Sequence, residues 1–458
     1  MKNYLTFIIA ICATGFLSVN ASAQLVTSAA DDNTDGTLRQ EISDTPEGGE
    51  ITFAAGIDMI ILNSEIIIDK ELTITGPAGN VLIDADSNGR AFHMISGTVT
   101  ISNLDIVNGL AADGGAIFIE DADLIMSNSS ISNSVANGAS GSGGGIFLST
   151  NSSLNMTDCQ FASNLANRAG GAIEDNSGEG LNIILNNGDF IANNAGVAPA
   201  IAAPGNGGAI HITTPGEIEI NGGTAVDNIA AAEGGGFWNN AGTMTVDGTS
   251  FDGNIGSGPD ADNGGGALFN NGGTMVVMNI TANDNIADGA AGSGGAILNA
   301  GGMLSVSGSS FSGNSAQRAG GAIEDASAEG GMLMLTDNDF LGNTVAMSPG
   351  NGGALHVGGP GDSNISGGMA NDNTAGQEGG AFWNNTGTMT VDGTSFEGNI
   401  GSGPAADDGG GALFNNGGTM IVTNITADNN IADGAAGSGG AILNAGGMLS
   451  VSGSSFSG

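Results

Sequence analysis

Short alternations of apolar and polar residues dominate the chain. Gly242-Thr243-Met244-Thr245-Val246 and Met303-Leu304-Ser305-Val306 alternate with period two, the pattern of strands with one buried face. F-x-x-N or a close relative follows such segments, as in Phe161…Asn164, Phe190…Asn193, Phe251…Asn254, Phe311…Asn314, Phe340…Asn343 and Phe396…Asn399. A third landmark is Gly-Gly-Ala followed by an aliphatic or aromatic residue, first seen at Gly114-Gly115-Ala116-Ile117. It recurs around Gly145, Ala172, Ala209, Gly236, Ala267, Ala296, Ala322, Ala354, Ala381, Ala412 and Ala441, giving twelve anchors 26 to 37 residues apart.

A period of this length with this strand content predicts a solenoid whose coils stack to share one core. Each coil should carry two or three short strands, with glycine at the corners that need a positive φ. An asparagine at one slot per coil should stack into a ladder of amide hydrogen bonds, since a buried amide must be satisfied. The fold class expected is all-β, a right-handed parallel β-helix. A propeller is the distant second choice, because its blades usually need longer repeats and close into a disc.

A longer period lies above the first. Residues 285–313 are identical to 430–458, at an offset of 145. The same offset maps Asn206-Gly207-Gly208-Ala209 onto Asn351-Gly352-Gly353-Ala354, and Phe237-Trp238 onto Phe382-Trp383. Arg168 to Asp175 returns as Arg318 to Asp325 at an offset of 150. A five-coil block has been duplicated as a unit, which suits a spacer or surface fibre better than an enzyme.

The ends differ from the middle. Lys2, the apolar run Leu5 to Val19 and Ala21-Ser22-Ala23 predict a secretory signal over residues 1–23. Residues 24–107 are expected to form a terminal cap and the first irregular coils. Within them Asp31 to Ile42 reads as an Asx turn entering a short helix, and 51–53, 66–68, 72–74 and 81–83 as strands. Residues 108–458 hold the regular coils. The chain stops at Ser457-Gly458, inside an F-x-x-N motif, so a continuation carrying an anchor or secretion signal is expected.

Composition narrows the function. The 458 residues include 84 Gly and only six Lys and Arg against 47 Asp and Glu, for a formal charge of −41. Such a surface lacks the basic footprint of a nucleic-acid binder. The expected signal cleavage would leave Cys159 as the sole thiol, so no intrachain disulfide would staple the exported chain.

The Gly-Gly-Ala-Ile/Leu and F-x-x-N repeats resemble those of the chlamydial polymorphic outer membrane proteins. The chain is also similar to exported pectin-lyase-like β-helix proteins, whose amino-terminal cap is resembled by Asp35-Gly36-Thr37-Leu38-Arg39 and Leu72-Thr73-Ile74-Thr75-Gly76. The resemblance covers nearly all of the expected mature chain. It implies surface display and adhesion, at a bacterial outer membrane or outside the cell.

Candidate chemistry is sparse. The pectin-lyase likeness raises a polysaccharide lyase or hydrolase, which would need carboxylates beside a cation. In the repeat region only Arg168 and Arg318 qualify, with Glu174/Asp175 and Glu324/Asp325 beside them. Because the set is duplicated, a structural ion pair is the expected reading, with no catalytic residue. No cofactor is expected, with weak Ca²⁺ binding at acidic loops kept as the one alternative. Asp84-Ala85-Asp86-Ser87-Asn88-Gly89 starts like a Ca²⁺ loop, but its twelfth position is Ile95 rather than Glu. Asp260-Ala261-Asp262-Asn263 and Ala406-Asp407-Asp408 offer only shifted acidic corners.

One column stands out. Directly after the apolar residue that follows Gly-Gly-Ala, successive coils present Phe118, Phe147, Glu174, His211, Trp238, Phe269, Leu298, Glu324, His356, Trp383, Phe414 and Leu443. By alternation this column points out of the core. Phe118, Phe147, His211, Trp238, Phe269, His356, Trp383 and Phe414 are thus the candidate contact surface, for another chain, for sugar rings or for covering loops of the same chain. The function expected is a secreted or cell-surface structural or adhesive rod, such as a protomer of a fibre. A polysaccharide-binding or polysaccharide-degrading β-helix is the alternative. Expected partners are other chains of a surface assembly, including copies of itself, or cell-surface glycans.

Overall fold

The computed structural model describes residues 23–199, 204–346, 349–405 and 408–458. All of the expected signal segment except Ala23, and two of the three residues of the Ala406-Asp407-Asp408 corner, lie outside them. The described chain winds into a right-handed parallel β-solenoid of about 15 turns. Four parallel sheets of 16, 15, 12 and 14 strands run along it. At about 4.8 Å per coil the rod is roughly 70 Å long.

One coil shows how sequence places each sheet. Thr243–Asp247 forms the long strand, with Met244 and Val246 inside and Thr243, Thr245 and Asp247 outside. A corner leads to Ser250–Asp252, whose Phe251 points into the core. A second corner leads to Ile255–Gly256, a strand of two residues. A longer loop then reaches Gly-Gly-Ala and the next three-residue strand, Leu268–Asn270. Earlier coils omit the two-residue strand, and its sheet begins only at Leu110–Ala111. Coils therefore have three strands at first and four thereafter, one more than alternation alone suggests, because a two-residue strand has no period to read.

The Gly-Gly pair is fixed by two different constraints. Gly320 has φ +62°, the left-handed conformation that a side chain disfavours. Gly321 has room for no side chain at all: a Cβ there would sit 2.1 Å from the carbonyl oxygen of Gly353 in the next coil. Ala322 and Ile323, which follow, are fully buried.

The core is one continuous column of side chains. Phe161 and Phe190 stack at 5.4 Å, and Phe237 meets Phe251 edge-on at 5.1 Å. At the corner after the Phe251-type strand, whose inward residue is Phe or Ala, runs the asparagine ladder, from Asn164 through Asn193, Asn228, Asn254, Asn285, Asn314, Asn343, Asn373 and Asn399 to Asn430. Asn285 shows the rung: Nδ2 donates to Asn314 Oδ1 at 3.0 Å and to the Phe251 carbonyl at 3.2 Å. Its backbone N–H donates to the same Asn314 Oδ1.

At the amino end, Gln24–Val26 starts the long sheet, and a helix over Leu38–Asp44 buries Leu38 and Ile42 in the core. Thr37 caps the helix, and Arg39 pairs with Asp31 at 2.8 Å. Strands follow at Gly49–Phe53, Ile66–Ile68, Leu72–Thr75 and Val81–Asp84, matching the expected ones closely.

Candidate functional site

The strand after each Gly-Gly-Ala is three residues long, with its first residue inside the core and its middle residue on the opposite face. The middle residues pair in register, Glu174 with His211, His211 with Trp238 and Trp238 with Phe269. The column expected from alternation thus points away from the central core, where Trp238, Phe269 and Leu298 form a separate cluster.

Its exposure differs from a bare stripe. Trp238 and Trp383 are each 6% exposed, Phe269 and Phe414 1%, and His211 and His356 are buried. Polar residues of the loops between the two-residue strand and Gly-Gly-Ala account for part of this cover. Trp238 Nε1 donates to Glu233 Oε2 at 2.8 Å, and Asn263 Nδ2 donates to Glu233 Oε1 at 2.9 Å. In the second block Trp383 Nε1 donates to Glu378 Oε2 at 2.8 Å. Six of the eight candidate contact residues are therefore internal to the protomer. Phe118 and Phe147 remain half-buried and stack at 5.2 Å, with Arg90 5.0 Å over the Phe118 ring.

The buried part of the column is polar and occurs twice. His211 Nδ1 lies 2.9 Å from Glu174 Oε2, and Thr213 Oγ1 donates to Glu174 Oε1 at 2.6 Å. Arg168 Nη1 donates to Ser142 Oγ at 3.1 Å and lies 3.6 Å from Glu174 Oε1. Trp238 stacks on His211 with centroids 4.3 Å apart. In the second block His356 Nδ1 is 2.6 Å from Glu324 Oε2, Arg318 Nη1 is 3.7 Å from Glu324 Oε1, and Trp383 stacks on His356 at 4.2 Å. Arg318 Nη1 also donates to Ser293 Oγ at 3.1 Å. A buried carboxylate needs such partners, because an isolated ion in this environment is costly.

Beside each arginine the surface dips. The first depression holds about 280 Å³ and includes Asp113, Phe147, Arg168, Glu174, Asn176 and Thr213 in its walls. The second, of about 250 Å³, is lined by Asp262, Arg318, Glu324 and the small residues Ala261, Ala326, Gly358 and Gly359.

Asp175 and Asp325, next to the glutamates, end the same strands and are buried. Burial raises both carboxyls above the ordinary range, against hydrogen bonds from Ser177 to Asp175 and from Asn299 and Ser327 to Asp325. Asp325 takes the last place in a second amide ladder, Asn239–Asn270–Asn299–Asp325, repeated as Asn384–Asn415–Asn444. Sequence reasoning missed this ladder. Its signal was present in Phe237-Trp238-Asn239, Leu268-Phe269-Asn270 and Ile297-Leu298-Asn299, where the third residue points the same way as the first. Burial likewise raises Glu233, against its hydrogen bonds from Trp238 and Asn263.

Among the described residues, no three His, Cys, Asp or Glu side chains converge as metal ligands would. At the Ca²⁺-like loop, Asp84 Oδ1 accepts from the Asp86 backbone at 2.8 Å, the bond of an Asx turn, and from Asn108 Nδ2 of the next coil at 2.9 Å.

Residues 308–324 match the Chlamydia polymorphic membrane protein repeat. The matched stretch runs from the corner before Phe311 through Asn314 and Arg318 to Gly320-Gly321-Ala322-Ile323-Glu324. The chain is thus a β-helix protein built with repeats of this kind. No curated protein and no solved structure shows significant similarity to it.

Proposed function

We propose that this chain is a rod displayed at a bacterial cell surface, serving structure and adhesion rather than catalysis. The observation that carries the reading is the duplicated block. Its Arg–Glu–His–Trp constellation recurs at Arg168 and at Arg318 with matching ion-pair and stacking distances, although Gly358 replaces the threonine that donates to the first glutamate, as a repeated face under little selection for chemistry would. A catalytic centre needs one set of groups poised about one reacting atom. The match to a membrane-protein repeat supports placement at the surface. Adhesion draws on the same likeness, and the partners are glycans or other chains of a surface assembly. The acidic coat, −41 over the whole chain, resists side-by-side collapse of such rods.

Two measurements test this. An antibody raised to the purified chain should stain intact producing cells, and protease added outside should remove the stain. Staining only after permeabilisation overturns surface display. Beads coated with the purified chain should adhere to cells in excess of beads coated with an unrelated acidic protein, and equal retention overturns the adhesive role.

A further inference from the structure

We infer that the two depressions beside Arg168 and Arg318 are binding sites for a neutral pyranose. The guanidinium is held but not used up. Among the described residues Arg168 donates from its side chain only through Nη1, which leaves the Nε and Nη2 edge with no protein acceptor. Its side chain is 30% exposed, and that of Arg318 is 29% exposed. Glu174, itself fixed by His211 and Thr213, holds the group in place, so its donors are oriented before a ligand arrives.

Charge selects the ligand class. Each depression sets one arginine against two carboxylates, Asp113 and Glu174 in the first, Asp262 and Glu324 in the second. An anion meets two like charges and the acidic rod behind them, while a cation meets the guanidinium. A sugar hydroxyl suits both, since it accepts from arginine and donates to a carboxylate. The space fits one ring, because drug-sized ligands occupy pockets from about 300 Å³ upward. In the first site Phe147, stacked on Phe118, adds an aromatic wall for the apolar face of the ring, and exposed Asn176 adds a donor and an acceptor. The second site has alanines and glycines there, so it binds more weakly. Five coils separate the sites, roughly 24 Å, a spacing that lets one glycan chain engage both.

The inference rests on the surface-rod reading only for where the sugar is met, and it is tested on the purified chain. Methyl α-glucoside, methyl α-mannoside and methyl β-galactoside serve as neutral probes and methyl β-glucuronide as the charged control, followed by ligand-observed saturation-transfer NMR. At least one neutral glycoside should show transfer, more strongly than the glucuronide. Arg168→Gln should remove the tighter binding, Arg168→Gln with Arg318→Gln should remove all of it, and Asn176→Ala, at an exposed position, should weaken it with the fold intact by circular dichroism. No transfer from any neutral glycoside, full transfer to the folded double variant, or preference for the glucuronide overturns the assignment. The two readings fail separately. Bead adhesion that free glycoside does not inhibit removes the sugar site's part in adhesion and leaves the rod, whereas glycoside binding without bead adhesion leaves the site and removes the adhesive role.

Discussion

At the residue scale many buried asparagines are satisfied by stacking on their counterparts in the next coil, and the positions where the stack ends or changes residue carry the testable chemistry. Asp325 occupies a slot that asparagine fills in the coils before it, and it accepts from Asn299 at 2.5 Å. Because burial raises its carboxyl, the folded state holds the proton to a higher pH than the unfolded chain does. The stability from the protonated form is complete below the ordinary carboxylate value and is lost as pH rises through the raised folded value. Asp325→Asn should therefore raise the melting temperature at neutral pH and flatten its rise on mild acidification. Equal pH slopes for variant and parent would refute this. Cys159 obeys the same physics. Burial pushes its thiol up to about 11, so it should react with a disulfide reagent only on unfolding, read as thiol release against denaturant.

At the scale of the element, the strands were legible where their side chains alternate and illegible where they are too short to do so. The long strands, the inward Phe of F-x-x-N and the asparagine ladder all follow from spacing alone. The two-residue strand does not, and neither does the loop cover that turns Trp238 and Trp383 from a surface stripe into an internal cluster, because periodicity gives the direction of a side chain but not what lies above it. Corners are where sequence variation reports constraint. Gly342 has φ +62° with open space around it, and the matching corner residue in an earlier coil is Ala192 at φ +53°. Gly342→Ala should cost only about 1–2 kcal/mol, the strain of a left-handed residue. Gly321→Ala must push two coils apart against a backbone carbonyl and should exceed the roughly 1–3 kcal/mol of ordinary overpacking. Urea unfolding of the two variants compares them directly, and similar midpoints would contradict the close-approach argument.

At the scale of the whole molecule, coils touch chiefly their neighbours in the stack, so stability is close to a sum of coil and interface contributions and, among the described residues, no strand pairing ties the ends together. The duplicated block makes this testable with native sequence. Asn206 and Asn351 begin equivalent coils, and each bridges to the same residue type one coil earlier, Ala169 and Ala319. Deleting residues 206–350 joins Gly205 to Asn351, where Asn206-Gly207-Gly208-Ala209 becomes the identical Asn351-Gly352-Gly353-Ala354. The junction preserves the Gly-Gly approach and restores a His356 in register with Glu174, as His211 is now. The shortened chain should fold with unchanged β content and scatter X-rays as a rod about 24 Å shorter, five coils at the sheet spacing. Loss of the sheet signal, or a compact particle of unchanged length, would mean that the blocks are not interchangeable and that the ends of the rod communicate through more than stacked neighbours.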